Sequence, residues 1–259
     1  MAKSALRVLE IMEYVAREER GATHAQIARD LRIPKSSLTA LLKDLQGGGY
    51  LALDGETARY SIGTQVLVLA QAYLRGLNIV KLGQPVVASL FKQLDEFTAL
   101  GIQRDGEYIL VCAESPASPL AHSLQIGERG PMYCSATGKA ILAHLPEAEA
   151  MTILTRHPRT KRTPATKTEL SQILSELDEV RRTGIGYARE ETLLGITAIA
   201  APIFNAAGRA IAALSVALPT ARLDPDREAE IVRAVRRSAR DLSANLGWQG
   251  EAEPRRAQP

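Results

Sequence analysis

Residues 23–62 read THAQIARDLRIPKSSLTALLKDLQGGGYLALDGETARYSI, and the rest of the chain is organised around this stretch. Ile27, Ala28 and Leu31 recur at three- and four-residue spacing, the apolar stripe of a first helix. Pro34 interrupts the stripe and suits the first turn of a second helix, where its missing N–H costs nothing. Leu38, Leu41, Leu42 and Leu45 then share one face at i, i+3, i+4 and i+7. The opposite face carries Ser36, Thr39, Ala40 and Lys43, with Lys35 and Ser37 near the helix start. A helix entering a major groove needs short side chains for close backbone approach, and hydroxyls and amines for phosphates and base edges. Gly47, Gly48 and Gly49 stop the helix. Tyr50 to Leu53 and Ala58 to Ile62 are β-favouring runs around Asp54-Gly55, a hairpin signal. That order is a winged helix-turn-helix, and the expected partner is double-stranded operator DNA. The expected contacts are Thr23, Lys35, Ser36, Ser37, Thr39, Ala40 and Lys43, with Arg59 on the hairpin reaching a phosphate or the minor groove. An ordinary helical hairpin followed by a β-hairpin is the competing reading.

Composition constrains less. A chain of 259 residues is long enough for two modest domains with their own cores. The formal net charge of +3 is too small to indicate nucleic acid by itself. Within residues 1–75, Glu10, Glu13, Glu18 and Glu19 offset much of the Lys and Arg. DNA affinity must therefore come from charge placement and from doubling in a dimer. Two cysteines, Cys112 and Cys134, make no disulfide framework. Met1-Ala2-Lys3 leads into an amphipathic helix rather than a signal peptide. The longest apolar stretch, Ile196 to Phe204, contains Pro202 and is too short to span a bilayer. A soluble, cytoplasmic protein with no membrane partner is expected.

Elsewhere, Ser4 is the expected N-cap of a first helix carrying Leu6, Leu9, Ile11, Met12 and Val15. After the wing, Gly63 opens a helix bearing Val66, Leu67, Leu69, Ala70, Tyr73 and Leu74. Its apolar coverage suits either a buried connector or a helix shared between domains or subunits. From Asn78 the character changes. Ile79 to Leu94 reads as helix; Thr98 to Ile102 and Tyr108 to Ala113 read as strands around Arg104-Asp105-Gly106; His122 to Ile126 reads as a third strand. Helices are expected over 135–144, from Pro146 to Leu154 and from Leu170 to Arg182, with a loop from His157 to Lys167. Strands follow at Ile185 to Glu190, Ile196 to Phe204 and Ala210 to Leu218, then a long helix from Asp226 to about Leu246 behind Asp224-Pro225. A disordered tail closes the chain. The fold class is α+β, with domains at 1–62 (winged helix-turn-helix), 63–77 (linker helix) and 78–247 (an antiparallel sheet flanked by helices), and the tail at 248–259.

Three places resemble the IclR (isocitrate lyase regulator) family of bacterial transcription factors: the winged helix, Gly130-Pro131-Met132-Tyr133-Cys134-Ser135-Ala136-Thr137-Gly138-Lys139-Ala140, and residues 184–219, GIGYAREETLLGITAIAAPIFNAAGRAIAALSVALP. The last is similar to the family's "GYA…EE…G…IAAPIF…G…AALSV" signature. The resemblance implies an N-terminal DNA-reading domain and a C-terminal GAF-like domain that binds a small effector. It also implies a homodimer or homotetramer on palindromic or repeated operators; some members repress and some activate. It places the effector between the sheet and the loop-helix that starts near Pro131. In members that bind small 2-oxo acids, an Asp, a Cys and two Ser align with Ala188, Ala198, Ser215 and Ala217, and here only Ser215 is retained. Alanine in place of three polar groups implies a wider, more apolar pocket. The implied effector is a larger aromatic or branched carboxylic acid. Tyr133, Cys134 and Ser135 would line one end, and backbone N–H groups at the helix start would hold the carboxylate.

Other chemistry fits less well. Cys134 precedes a helix N-terminus, where thiolate is favoured, but His24, His122, His144 and His157 form no motif with it. Ser135-Ala136-Thr137-Gly138-Lys139 resembles the end of a phosphate loop, yet Tyr133 stands where the earlier glycine belongs. No Cys/His spacing suits zinc, and no cofactor is expected. Glu190-Glu191 cannot act jointly on one substrate unless the strand breaks there. The expected function is an effector-responsive DNA-binding regulator, coupled through the helix from Gly63 to Arg75. An enzyme using Cys134, or a DNA-binding protein without an effector, are the alternatives.

Overall fold

The computed structural model describes residues 3–76, 78–116 and 125–250, with the side chains of 3–4 and 71–78 excepted. The chain divides into two compact units between Gly76 and Leu77. Expected features at 122–124, at the side chains of Tyr73 and Leu74, and in the tail from 251 lie outside the described residues.

The first unit holds α1 (Lys3–Arg17), β1 (Ala22–Thr23), α2 (His24–Asp30), α3 (Lys35–Gly47), β2 (Leu51–Leu53), β3 (Arg59–Ile62) and α4 (Thr64–Gly76). Ile11, Val15, Ile27, Leu38, Leu42 and Leu51 are buried together, so α1, α2 and α3 close on one core beneath the hairpin. Helix α1 begins at Lys3, one residue ahead of the expected cap at Ser4. Pro34 stands at the N-cap of α3 rather than in its first turn, with extended φ −55° and ψ 136°. Its carbonyl still accepts the Leu38 N–H at 3.0 Å. The wing is three-stranded, in the order β1-β3-β2. Its tip is a longer loop than the Asp54-Gly55 pair predicts. The Asp54 carboxylate accepts from the Glu56 N–H at 2.9 Å and the Thr57 hydroxyl at 2.8 Å, and Ala58 takes φ +51° to rejoin β3. An Asx turn has displaced the tight one.

The second unit contains α5 (Asn78–Leu94), β4 (Phe97–Arg104), β5 (Glu107–Glu114), β6 (Arg129–Pro131), α6 (Ala136–Leu142), α7 (Glu147–Arg156), α8 (Leu170–Thr183), β7 (Gly186–Arg189), β8 (Ile196–Phe204), β9 (Ala210–Pro219) and α9 (Pro225–Asn245). Its strands form one antiparallel sheet, ordered β6-β5-β4-β9-β8-β7. Among the described residues the third strand of this unit is Arg129–Pro131; of the expected strand from His122 to Ile126 only Gln125 and Ile126 are described, and neither is in a strand. Gln125 and Ile126 precede a turn at Gly127, φ +92°, and the backbone meets β5 only after it, with the Gly127 N–H on Leu110 O at 2.8 Å. At Asp105 and Gly106 both φ values are positive, 53° and 82°, as a two-residue hairpin turn demands. Gly184 ends α8 in the left-handed conformation, and Asp224 caps α9 through the Arg227 N–H at 2.8 Å.

One glycine fixes how the wing meets the helix after it. The Gly63 N–H bonds Tyr50 O at 2.8 Å, and a Cβ on Gly63 would stand 2.2 Å from Gly49 O. Gly63→Ala should therefore destabilise the N-terminal unit by about 2–4 kcal/mol, since backbone must shift to admit the methyl. Urea unfolding of the variant against wild type measures the loss.

Candidate functional site

The exposed face of α3 follows from its leucines. With Leu38, Leu42 and Leu45 buried, Lys35, Ser36, Ser37, Thr39, Ala40 and Lys43 are all exposed. Neither Lys35 nor Lys43 forms an ion pair among the described residues. Thr39 is partly engaged: its hydroxyl donates to Lys35 O at 2.9 Å and lies 3.0 Å from His24 Nε2. Thr23 is occupied as the N-cap of α2, in a capping box where its Oγ1 accepts from the Gln26 N–H and the Gln26 side chain accepts from the Thr23 N–H at 2.9 Å. Arg59 turns back into the domain, donating from Nη1 to Gly21 O at 2.7 Å. Three further side chains brace the base of the motif. Asp30 accepts from Tyr14 Oη at 2.6 Å and from Arg29 Nε at 2.6 Å, joining α1 to α2. That bond raises the Tyr14 phenol to about 12. Arg32, at φ +51° between α2 and α3, adds an exposed cation that sequence periodicity does not single out.

In the second unit, α6 lies almost directly on the sheet. A Cβ at Gly101 would come 2.7 Å from Thr137 Cγ2, and one at Gly186 would come 2.8 Å from Ala136 O. A Cβ at Gly138 would strike Met132 O at 2.3 Å. Ser135 caps α6, accepting from the Gly138 N–H at 3.0 Å and donating to Pro131 O at 2.6 Å. Its hydroxyl is thereby committed to the turn.

Register brings the expected sheet residues together. Ala188 pairs with Ala198, Ala198 with Ala217, and Ala217 with Phe97; one step along, Ala200 pairs with Ser215 and Ser215 with Ala99. Cross-strand partners share a face and alternate residues return to it. Ala99, Ala188, Ala198, Ala200, Ala213 and Ala217 therefore form a shallow floor, which packs in the same core as Tyr133 and Cys134. Ser215 is the hydroxyl on that floor, 3.3 Å from Ala99 O. Pro131 and Tyr133 also border a separate cavity nearer the β4–β5 turn. The Tyr133 phenol donates to Thr160 O at 2.5 Å.

The residue that sequence reasoning passed over is Lys139. It is 1% exposed, and its ammonium lies 2.6 and 2.8 Å from the two Glu191 oxygens, 3.1 Å from Tyr187 O and 2.7 Å from Glu176 Oε2. The first three contacts consume its three N–H groups, so Glu176 Oε2 has charge attraction without a hydrogen bond. Lys167 completes the cluster on Glu176. Strand β7 does break after Arg189, with Glu190 at φ +57°, and this turns Glu191 inward while Glu190 is left half-buried. Burial pushes the Glu191 carboxyl above its ordinary value, and the Lys139 charge opposes that rise. Thr163 and Thr166 hydroxyls donate to Glu190 O and Glu191 O at 2.6 Å each, fastening the 157–168 loop to the same corner.

Cys134 is fully buried, and burial raises its thiol to about 11. A nucleophile needs the reverse shift. Cys112 is raised likewise, to about 11, by burial.

Lys139→Met should cost about 3–5 kcal/mol, because the buried Glu191 carboxylate loses its counter-charge while half-buried Glu176 keeps only Lys167, and Lys139→Met with Glu191→Leu should recover much of it. Thermal unfolding of both variants measures this. Stability should also fall as pH rises from about 9 towards 11: both thiols stay protonated in the fold while the unfolded chain releases their protons. Chemical denaturation along a pH series, compared with Cys112→Ala/Cys134→Ala, isolates that slope.

Residues 4–55 match the IclR helix-turn-helix domain, and residues 71–244 match the C-terminal domain of the bacterial transcriptional regulator IclR. The chain is 27% identical over 252 residues to the HTH-type transcriptional repressor AllR of Klebsiella pneumoniae, covering 97% of this chain and 93% of that one. Against AllR of Escherichia coli K12 it is 28% identical over 246 residues, covering 95% and 91%. Among solved structures, a transcriptional regulator from Rhodococcus sp. RHA1 superposes with TM-score 0.85 at 25% identity, over 95% of this chain and 98% of that one. An IclR homologue of Microbacterium hydrocarbonoxydans complexed with 4-hydroxybenzoate superposes with TM-score 0.79 at 25% identity, over 94% and 99%. With both halves matched in order and a winged helix ahead of a six-stranded sheet domain, the chain belongs to the IclR family of bacterial DNA-binding transcriptional regulators.

Proposed function

We propose that this protein is a repressor that places α3 in the major groove of its operator and responds to an organic acid seated on the alanine floor. The observation that carries the DNA half is the α3 surface, where Lys35, Ser36, Ala40 and Lys43 are exposed together and the two lysines have no acidic partner among the described residues. A groove-facing helix needs such unspent cations. The repressor assignment rests on the AllR relatives. Thr23 and Arg59 act as braces for the motif in this reading, since each already has an internal partner.

One copy of α3 supplies few charges, so operator binding calls for two. Leu6 and Leu9 on α1 and Leu67, Val68 and Leu69 on α4 are each more than half exposed. Apolar surface of that kind fits a second copy of the chain. Among the described residues no helix is long and apolar enough to cross a membrane.

For the effector, the floor offers short alanine side chains from four strands and one polar contact at Ser215. The expected ligand is a monocyclic aromatic acid, in keeping with the 4-hydroxybenzoate complex of the Microbacterium homologue. Such an acid shifts DNA binding only by its differential affinity for the DNA-competent arrangement.

Lys43→Ala should weaken operator binding at every sequence and lower the slope of log affinity against log salt by about 1, whereas Arg59→Ala should act mainly on stability. Gel shifts across a salt series decide this; an unchanged slope for Lys43→Ala removes it from the DNA surface. Ser215→Ala should lower affinity for 4-hydroxybenzoate about tenfold in calorimetric titration. Unchanged affinity removes Ser215 from the pocket.

A further inference from the structure

The β4–β5 turn closes a cavity that the alanine floor does not use. An open-sided space of about 150 Å³ lies between Gly106 and Glu107, β6, the end of α7 and residues 158–160 with Arg162. Buried Met132, Ile153 and Leu154 give it an apolar base. Its rim is cationic: Arg129, Arg159 and Arg162 line it with His157, against one carboxylate, Glu107. Glu107 is already engaged, 3.2 Å from Arg129 Nη1. Arg159 is held by two neutral carbonyls, Nε on Thr168 O at 2.9 Å and Nη1 on Leu154 O, which fix the guanidinium without neutralising it. Arg162 and His157 make no ion pair or side-chain hydrogen bond among the described residues. The imidazole sits against bare turn backbone, for a Cβ on Gly106 would fall 1.9 Å from His157 Nε2. The Arg162 charge reaches the phenol of Tyr133 in the cavity wall, opposing the rise that burial imposes there.

Strand register separates this space from the alanine floor. Phe97, at one end of β4, pairs with Ala217; Arg104, at the other, pairs with Glu107. The floor residue nearest the turn, Ala213, pairs with Gly101, three residues short of Arg104, so about 10 Å of strand separates the near edge of the floor from the turn. A ligand on the floor beside Ala217 and a ligand in the cavity beside Glu107 would occupy opposite ends of β4.

We propose that the cavity is a second small-molecule site, and that it takes a monocyclic aromatic monocarboxylate. A space of about 150 Å³ holds one benzene-sized ring, and Met132, Ile153 and Leu154 supply its apolar side. With the ring on Met132, Ile153 and Leu154, the carboxylate faces Arg162 and Arg159, where planar guanidiniums pair well with carboxylate oxygens. An inorganic anion would leave the apolar base unfilled, and a neutral aromatic would leave the cations unpaired.

The test is calorimetric titration of the full chain with benzoate and, separately, with inorganic phosphate, using Arg162→Ala, Arg162→Lys and Ala217→Leu. Arg162 is exposed, so its variants should retain the wild-type thermal midpoint without ligand. The expected result is a benzoate-binding event weakened about tenfold by Arg162→Ala, partly restored in Arg162→Lys and unmoved by Ala217→Leu. Absence of benzoate binding in the wild type at millimolar concentration overturns the proposal. So does a binding event lost in Ala217→Leu and untouched in Arg162→Ala, which would place all the ligand on the sheet floor. Phosphate binding as tightly as benzoate with the same Arg162 dependence overturns the aromatic assignment. Failure of the floor reading shows separately, as 4-hydroxybenzoate affinity indifferent to Ser215→Ala.

Discussion

A buried ammonium holds the second unit together at its most crowded point. Lys139 lies on α6, Glu191 just past β7 and Glu176 on α8, so one cation fastens three elements that are remote in sequence. Its desolvation is tolerable only because the Glu191 carboxylate and the Tyr187 carbonyl receive all three of its protons. The arrangement also requires α6 to lie close to the sheet, and Gly101, Gly138 and Gly186 remove the Cβ atoms that would hold it off. Small residues then become obligatory on the floor below, where Ala99, Ala188, Ala200 and Ala213 are buried. Ion cluster, glycines and alanine floor follow from one another.

The first unit is built on the opposite economy. Its core is largely leucine and isoleucine, its polar contacts are caps and braces between neighbouring elements, and the two α3 lysines remain unspent. Thr23 shows the trade. A threonine at the head of a helix is attractive as a phosphate contact, but its hydroxyl is worth more inside the unit, where it satisfies an otherwise orphaned N–H. Arg59 follows the same logic with the Gly21 carbonyl.

Much of this was legible in the sequence because it rests on local periodicity. Strands β8 and β9, the α9 start at Asp224-Pro225 and the Gly184 stop all announce themselves through alternation, capping and glycine. The four aligned positions, Ala188, Ala198, Ser215 and Ala217, do share a sheet face, since register follows once the strands are right. What escaped was long-range. A lysine inside Gly-Lys-Ala carries no sign that its partners lie 37 and 52 residues away in Glu176 and Glu191. The short strand at Arg129–Pro131 has no alternating pattern to betray it and exists only because β5 offers an edge. The cationic cavity was equally hidden, being assembled from a turn, a strand end and a loop that sequence spacing does not relate.

The junction between the wing and α4 sets what mechanical message the first unit can receive. With Gly63 packed on Gly49 and the Gln65 N–H bonded to Gly49 O at 3.0 Å, no slack separates the sheet from the helix that leaves it. Helix and wing form a single lever. Were a twist applied along α4, it would reach the glycine stop of α3 through a backbone hydrogen bond rather than through a loop.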